Sequence, residues 1–247
     1  SVTNIILDLI LIRGLNFGVE GAAIATDISQ LVSSILALSF LMRVKDSYRV
    51  SIRKLGIRKD MALKIIKIGL PAGIQNMAIS FSNVLVQSSI NGFGALAVAG
   101  FGAYLKIDGF NILPVLSFSM AATTFVGQNY GAGKPKRIWQ GIKASVLMMT
   151  IYSAFMFGVL MLGARTFALL FVDPVEWEIL KDTELFLHIS VSFFPVLGLL
   201  CILRYSIQGA GFTNLAMLSG VSEMIARIMV SLYAVPALGY LAICFGD

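Results

Sequence analysis

Charged side chains are scarce in this chain, at 13% of its 247 residues, whereas soluble domains carry roughly 25%. Hydrophobic residues make up 57%. So few charged residues cannot cover the surface of a soluble domain of this size. The composition therefore argues against a water-soluble globular protein and indicates a protein surrounded by lipid.

Residues that commonly carry catalytic or metal chemistry are also few, with two cysteines and one histidine. Cys201 and Cys244 lie in apolar stretches without the spacing of metal ligands, and we interpret both as packing residues. The sequence shows no nucleophile with a base, no metal-ligand set and no paired catalytic carboxylates. It also lacks a selectivity-filter motif of the kind that channels use. We therefore expect neither an enzyme nor a channel, and no cofactor.

The hydrophobic residues fall into segments of about 20 to 30, long enough to cross a hydrocarbon core of roughly 30 Å. The predicted spans cover residues 1–12, 19–43, 65–90, 95–125, 144–172, 185–208 and 213–236, and an eighth begins near Tyr240. The chain lacks an initiator methionine and both starts and stops inside hydrophobic segments, which indicates a fragment of a longer protein. The predicted fold class is an all-α polytopic membrane protein with about seven transmembrane helices plus the start of an eighth.

Basic residues are concentrated in two of the loops between these spans. Nine lysines or arginines lie between Arg43 and Lys67, and four more lie between Lys134 and Lys143. The loop from Asp173 to Glu184 is mainly acidic. The positive-inside rule predicts that the two basic loops are cytoplasmic and that the acidic loop is external. The net charge of +6 is thus a topology signal, and no nucleic-acid partner is expected.

Three polar residues near the start of the chain can meet inside the membrane. Asn4 and Asp8 are four residues apart, on one face of a helix. Measured from the turn near Gly14 and Gly18, Asp8, Thr26 and Asn4 lie at depths of roughly 9, 12 and 15 Å. A carboxylate within a bilayer is costly unless it is paired, protonated or bound to a cation. The pattern predicts a site for H⁺ or Na⁺, and the alternative is a hydrogen-bonded cluster that joins two helices.

Further polar residues lie within the later spans. Gln75, Asn76 and Asn83 belong to a polar face of the third span, which predicts either a lining of the substrate path or hydrogen bonds between helices. Tyr104 and Asp108 share a face of the fourth span and are candidates for lining a cavity.

The spans contain few cations. Glu223 and Arg227 have the favourable order for an ion pair along one helix, and we expect that pair to be structural. Lys106 and Arg204 are further cations within the predicted spans.

Three motifs resemble one transporter family. The run VGQNYGAGKPKR from Val126 to Arg137, the segment from Asn4 to Thr26, and GLPAGIQN from Gly69 to Asn76 are similar to motifs of the multidrug and toxic compound extrusion (MATE) family, in its prokaryotic NorM- and DinF-like members. The resemblance implies part of a two-bundle, inverted-V transporter, from about the fifth helix to the start of the twelfth.

The resemblance also implies a division of the chain. Residues 1–43 would be the last two helices of the N-terminal bundle, residues 44–64 a cytoplasmic linker, and residues 65–247 a truncated C-terminal bundle. In the family, residues matching Asn4, Asp8 and Thr26 are implicated in cation coupling together with an aspartate on the first helix, which this chain does not contain. The family often has a proline that produces a bend where this chain has Leu9, and the chain departs from the family pattern at this position.

The function implied is secondary active export of small organic compounds, cationic ones among them, in antiport with H⁺ or Na⁺. The expected partners are the lipid bilayer, the substrates and the missing N-terminal helices, in the plasma membrane of a prokaryote. The alternative is a flippase of lipid-linked precursors from the same superfamily. A flippase should carry more cations in its cavity, so the exporter is preferred.

Overall fold

The computed structural model describes residues 2–45, 49–52 and 56–239. The described chain is almost entirely helical and contains no strand, which confirms the predicted all-α class. In chain order it comprises α1 (Val2–Asp8), a first π-helical segment (Leu9–Gly14), α2 (Gly18–Arg43), α3 (Lys59–Asn91), α4 (Ala95–Gly131), α5 (Pro135–Ala168), α6 (Trp177–Gly209), α7 (Thr213–Met229), a second π-helical segment (Val230–Ala234) and α8 (Val235–Leu238).

Five helical stretches of the described chain are long and apolar enough to cross a membrane. They are α2, α4, α5, α6 and the stretch Thr213–Ala237. Helix α3 has 33 residues and thus a length of roughly 50 Å, but polar side chains such as Gln75 and Asn83 make it less apolar than these five. The predicted eighth span, which begins near Tyr240, lies outside the described residues.

Several helices begin earlier than hydropathy predicts. Helices α5 and α6 begin at Pro135 and Trp177, ahead of the predicted span starts at residues 144 and 185. The 34 residues of α5 extend about 51 Å, against a hydrocarbon core of roughly 30 Å. Hydropathy marks only the part of a helix that lies in hydrocarbon, and it misses the polar turns beyond. For the same reason α3 begins at Lys59, so the last six residues of the predicted 44–64 linker are helical.

The chain divides into two compact units, residues 1–59 and 60–247. In the first unit, α1 and the π-helical segment pack against α2. Gly21 of α2 lies at a close contact, because a Cβ atom there would be 3.2 Å from the Cβ of Leu11 in the π-helical segment and 3.0 Å from the Cβ of Phe17.

In the second unit, α4, α5 and α6 each pack against the other two. One core cluster contains Phe101 of α4 and Phe186 of α6, whose rings are 5.3 Å apart. A second cluster contains Met149 of α5 and Phe194 of α6. Together these clusters join α4, α5 and α6 along their lengths.

Helices α4 and α6 are closest near their C-terminal ends. A Cβ atom on Gly127 would lie 3.1 Å from the carbonyl oxygen of Gly209, and one on Gly209 would lie 2.4 Å from that of Thr123. The Thr123 hydroxyl donates a hydrogen bond of 2.9 Å to the carbonyl of Tyr205. Gly127, within the run Val126 to Arg137, is thus a point of close backbone approach between the two helices. Gly133 adopts a positive φ of 65° in the turn that follows α4.

Candidate cation-coupling site and polar helix contacts

The first unit changes helix geometry next to Asp8, the acid predicted to lie within the membrane. Asp8 is the last residue of α1, and the first π-helical segment begins at Leu9. Wider turns of this kind are rare and are frequently found at functional sites. The departure from regular α-helix therefore occurs where the family resemblance placed a proline and this chain has leucine.

Asn4 and Thr26 meet, as the helix spacing predicts. The Asn4 side-chain amide donates to the Thr26 hydroxyl at 3.4 Å between Nδ2 and Oγ1. The same hydroxyl donates its own hydrogen to the carbonyl of Ala22 at 2.9 Å. These bonds orient both side chains, and the amide oxygen of Asn4 is not used in either of them.

Asp8 is the acidic residue predicted for the candidate site. Its side chain is half-buried, and its Oδ1 atom is inaccessible to solvent. Within residues 2–45, 49–52 and 56–239, no hydrogen-bond donor contacts this oxygen. A buried acceptor without a partner is unfavourable, and inside a membrane the cost is removed by a proton or a bound cation.

Sequence reasoning missed Ser29. This residue is buried on α2, three residues after Thr26 and so on the same side of the helix. Its hydroxyl also has no hydrogen-bond partner among the described residues. The spacing from Thr26 was available in the sequence, but the burial of Ser29 depends on tertiary packing.

The three polar residues predicted on α3 have different surroundings. Gln75 is buried and faces α7, since a Cβ atom on Gly220 would lie 2.7 Å from its Cγ atom. The side-chain oxygen of Asn83 accepts a hydrogen bond from Arg227. Asn76 is exposed. Asn83 therefore takes part in hydrogen bonding between helices. The exposed Asn76 stays a candidate for lining the substrate path.

Tyr104 is a core residue rather than a cavity-lining one. It is 2% exposed, and its ring lies 5.5 Å from that of Phe101 and 5.3 Å from that of Phe186. Its hydroxyl donates to Ser190 at 3.1 Å. Asp108, one turn further along α4, is half-buried. Tyr104 and Asp108 lie one helical turn apart on α4, as predicted, but aromatic packing against α6 buries Tyr104.

A three-residue ion network joins α6 to α7. Glu223 accepts from Arg204 through Oε2 and pairs with Arg227 through Oε1, at 3.1 Å for the second contact. The Nε atom of Arg204 also donates to Ser219 at 3.2 Å. The predicted Glu223–Arg227 pair is confirmed. The contribution of Arg204 was missed because this residue is on another helix, and only tertiary packing shows the contact.

Packed spans with paired polar groups define a polytopic helical membrane protein. The model of the MatE family matches residues 71–233, which is more than half of the chain. The chain belongs to this family.

Two curated relatives illustrate the relationship. The multidrug export protein MepA of Staphylococcus aureus (strain bovine RF122 / ET3-1) is 29% identical over 223 residues, which cover 88% of this chain and 49% of MepA. The probable multidrug resistance protein YpnP of Bacillus subtilis (strain 168) is 28% identical over 210 residues, covering 85% of this chain and 46% of YpnP. The chain thus spans about half the length of these relatives.

Solved structures show the same fold. A MOP superfamily transporter from Pyrococcus furiosus Vc1 superposes with a TM-score of 0.89 at 23% identity, covering 99% of this chain and 56% of that protein. A multidrug resistance MATE family transporter in an outward-facing conformation gives 0.86 at 24% identity, covering 99% and 55%.

Proposed function

We propose that this chain is part of a secondary active exporter that moves small organic compounds out of the cell in exchange for H⁺ or Na⁺. Membership of the MatE family, the multidrug-export name of MepA and the multidrug-resistance name of YpnP support export. The observation that carries the coupling proposal is the buried Oδ1 atom of Asp8, which has no hydrogen-bond partner among the described residues. We place the protein in the plasma membrane of a prokaryote.

The site offers chemistry for either ion. A proton would neutralise Asp8 and supply the missing hydrogen for its buried oxygen. A sodium ion would be held by oxygen atoms, and the Asp8 carboxylate, the Thr26 hydroxyl and the Asn4 amide oxygen provide them at one helix pair. In both cases the ion cancels a charge that the hydrocarbon disfavours, so ion occupancy can stabilise one arrangement of the helices over another.

Alternating access supplies the rest of the mechanism. In transporters of this kind one bundle moves against the other around a binding site near the middle of the membrane. Since this chain spans about half the length of its relatives, we expect residues 1–247 to require the remaining helices for transport.

The contacts of the intramembrane cations favour an exporter over a flippase of lipid-linked precursors. Arg204 and Arg227 both pair with Glu223. The Lys106 ammonium group lies 5.6 Å from the centre of the Phe171 ring. A flippase would need such cations to face the phosphates of its substrate.

The test uses the full-length protein in sealed vesicles loaded with a fluorescent aromatic cation. A pH gradient and a sodium gradient are imposed separately, and the loss of dye is followed over time. We expect one of the gradients to accelerate efflux above the rate in protein-free vesicles. The proposal is wrong if neither gradient has an effect, and faster transfer of a fluorescent lipid-linked precursor instead would favour the flippase.

A further inference from the structure

An open apolar groove lies between α5 and α6 on the second unit, separate from the candidate cation site. Its volume is about 390 Å³. Trp139 and Lys143 lie at its α5 N-terminal end, and Leu147, Leu199 and Leu203 contribute apolar surface. All three leucines are exposed, by 61%, 43% and 41% respectively. The groove is therefore lined mainly by apolar side chains and has one cation, Lys143, at its end.

The charge pattern of α5 indicates how deep this groove lies in the membrane. The 21 residues between Lys143 and Arg165 include no charged side chain and rise about 31 Å as an α-helix, which equals the thickness of a hydrocarbon core. Lys143 accordingly lies at one hydrocarbon boundary. From Lys143 to Thr150, the furthest α5 residue of the groove, the helix rises roughly 10 Å. The groove thus fits within a single leaflet, which is about 15 Å deep.

The boundary end of the groove is strongly basic. The Lys143 ammonium group lies 5.5 Å from the centre of the Trp139 ring, a contact that holds the cation at the level of the lipid headgroups. Lys134, Lys136 and Arg137 lie at the same end of α5, and the stretch from Lys134 to Lys143 contains no acidic residue. The charge pattern predicts that this end is cytoplasmic, and anionic lipids give the cytoplasmic leaflet its negative surface potential.

We propose that this groove binds an anionic phospholipid, with an acyl chain along the leucines and the phosphate-bearing headgroup at Lys143. The apolar lining suits a hydrocarbon chain, and the cation at the headgroup boundary suits a net negative charge. A zwitterionic phospholipid fills the same groove but offers Lys143 no net charge. The site therefore selects lipids by headgroup charge, independently of the exported substrate.

Trp139 provides a direct probe, because bromine on an acyl chain quenches tryptophan fluorescence at short range. The full-length protein is placed in phosphatidylcholine vesicles that contain brominated phosphatidylglycerol or, at the same mole fraction, brominated phosphatidylcholine. The Trp139 signal is obtained by subtracting the signal of Trp139→Phe. We expect stronger quenching by the brominated phosphatidylglycerol.

Variants of Lys143 test the headgroup contact. Lys143→Gln should lower the preference for phosphatidylglycerol up to about fivefold, because a direct charge-assisted contact at a partly exposed site contributes up to about 1 kcal/mol. Lys143→Arg should retain the preference. Lys136→Gln is the matched control, since Lys136 lies at the same helix end but outside the groove, and it should change the preference little. Size-exclusion chromatography checks that each variant is folded.

Three results would overturn the proposal. Equal quenching by the two lipids would show an ordinary lipid contact. An absence of quenching by both would show that another segment of the longer protein covers the groove. An equal loss of preference in Lys136→Gln and Lys143→Gln would assign the effect to general surface charge.

Discussion

Gly209 and Gly131 each end a helix, but their surroundings differ. A Cβ atom on Gly209 would lie 2.4 Å from the carbonyl oxygen of Thr123, whereas one on Gly131 would meet nothing within 4 Å. We predict that Gly209→Ala destabilises the full-length protein by about 1–3 kcal/mol, since a methyl group there must push α4 and α6 apart. Thermal unfolding in detergent measures the effect.

Gly131→Ala is the control for Gly209→Ala, because it makes the same chemical change at the same position in a helix. It should leave the melting temperature nearly unchanged. Equal melting temperatures for the two variants would mean that α4 and α6 do not depend on the close approach at Gly209.

For single residues, the sequence predicts those side-chain contacts that follow from helix spacing. The meeting of Asn4 and Thr26 follows from their depths below a turn, and the structure contains it. The burial of Ser29 and the core position of Tyr104 depend on which neighbouring helix covers each face. Hydropathy and residue spacing do not indicate which helix packs against a given face.

The ion network is the main polar contact between α6 and α7. Glu223 lies between Arg204 and Arg227, and the Arg204 side chain is 6% exposed. We predict that Glu223→Gln lowers the stability of the full-length protein by about 1–3 kcal/mol, because the buried Arg204 guanidinium and the partly buried one of Arg227 lose their shared negative partner. Thermal unfolding in detergent again provides the measurement.

Glu184→Gln is the matched control for Glu223→Gln. Glu184 pairs with Arg165 at 3.9 Å, and the Arg165 side chain is 62% exposed. An exposed pair of this kind contributes less than about 1 kcal/mol. If both variants melted at the same temperature as the unmodified protein, the network would contribute little to the packing of α6 and α7.

Among the elements, the apolar helices were predictable and the two π-helical segments were not. Hydropathy located α2 and α4 almost to the residue at their N-terminal ends, and it found the cores of α5 and α6 without their polar ends. The second π-helical segment precedes Pro236, which lacks the N–H group that a regular helix needs there. The first, after Asp8, has no proline to predict it.

The orientation of the whole molecule follows from its charge distribution. The excess of lysine and arginine between Arg43 and Lys67 predicts that this segment is cytoplasmic, and the acidic segment from Asp173 to Glu184 is then predicted to be external. In cells expressing a cysteine-free full-length protein, Glu176→Cys should react with an impermeant thiol reagent added outside. Ser51→Cys should react only after the membrane is made permeable. Reaction of Ser51→Cys in intact cells would contradict this orientation.

For the whole molecule, the motifs were sufficient to predict the family. Short runs such as Val126 to Arg137 resembled one transporter family, and the match over residues 71–233 places the chain in it. The sequence does not predict the division of the chain at residue 59, because it shows only a polar segment there. It does not predict the substrate or the coupling ion either, because both depend on how helices are arranged around a binding site.

The measurement that tests the coupling role most directly compares the full-length protein with its Asp8→Asn variant in vesicles under an imposed ion gradient. Asparagine keeps the shape of the side chain but cannot take up and release a coupling cation. We predict that well-folded Asp8→Asn protein binds a fluorescent substrate as before, while its gradient-driven export falls to the rate of protein-free vesicles. Export by the variant at the unmodified rate would contradict the coupling role and leave Asn4, Asp8 and Thr26 as a cluster that joins two helices.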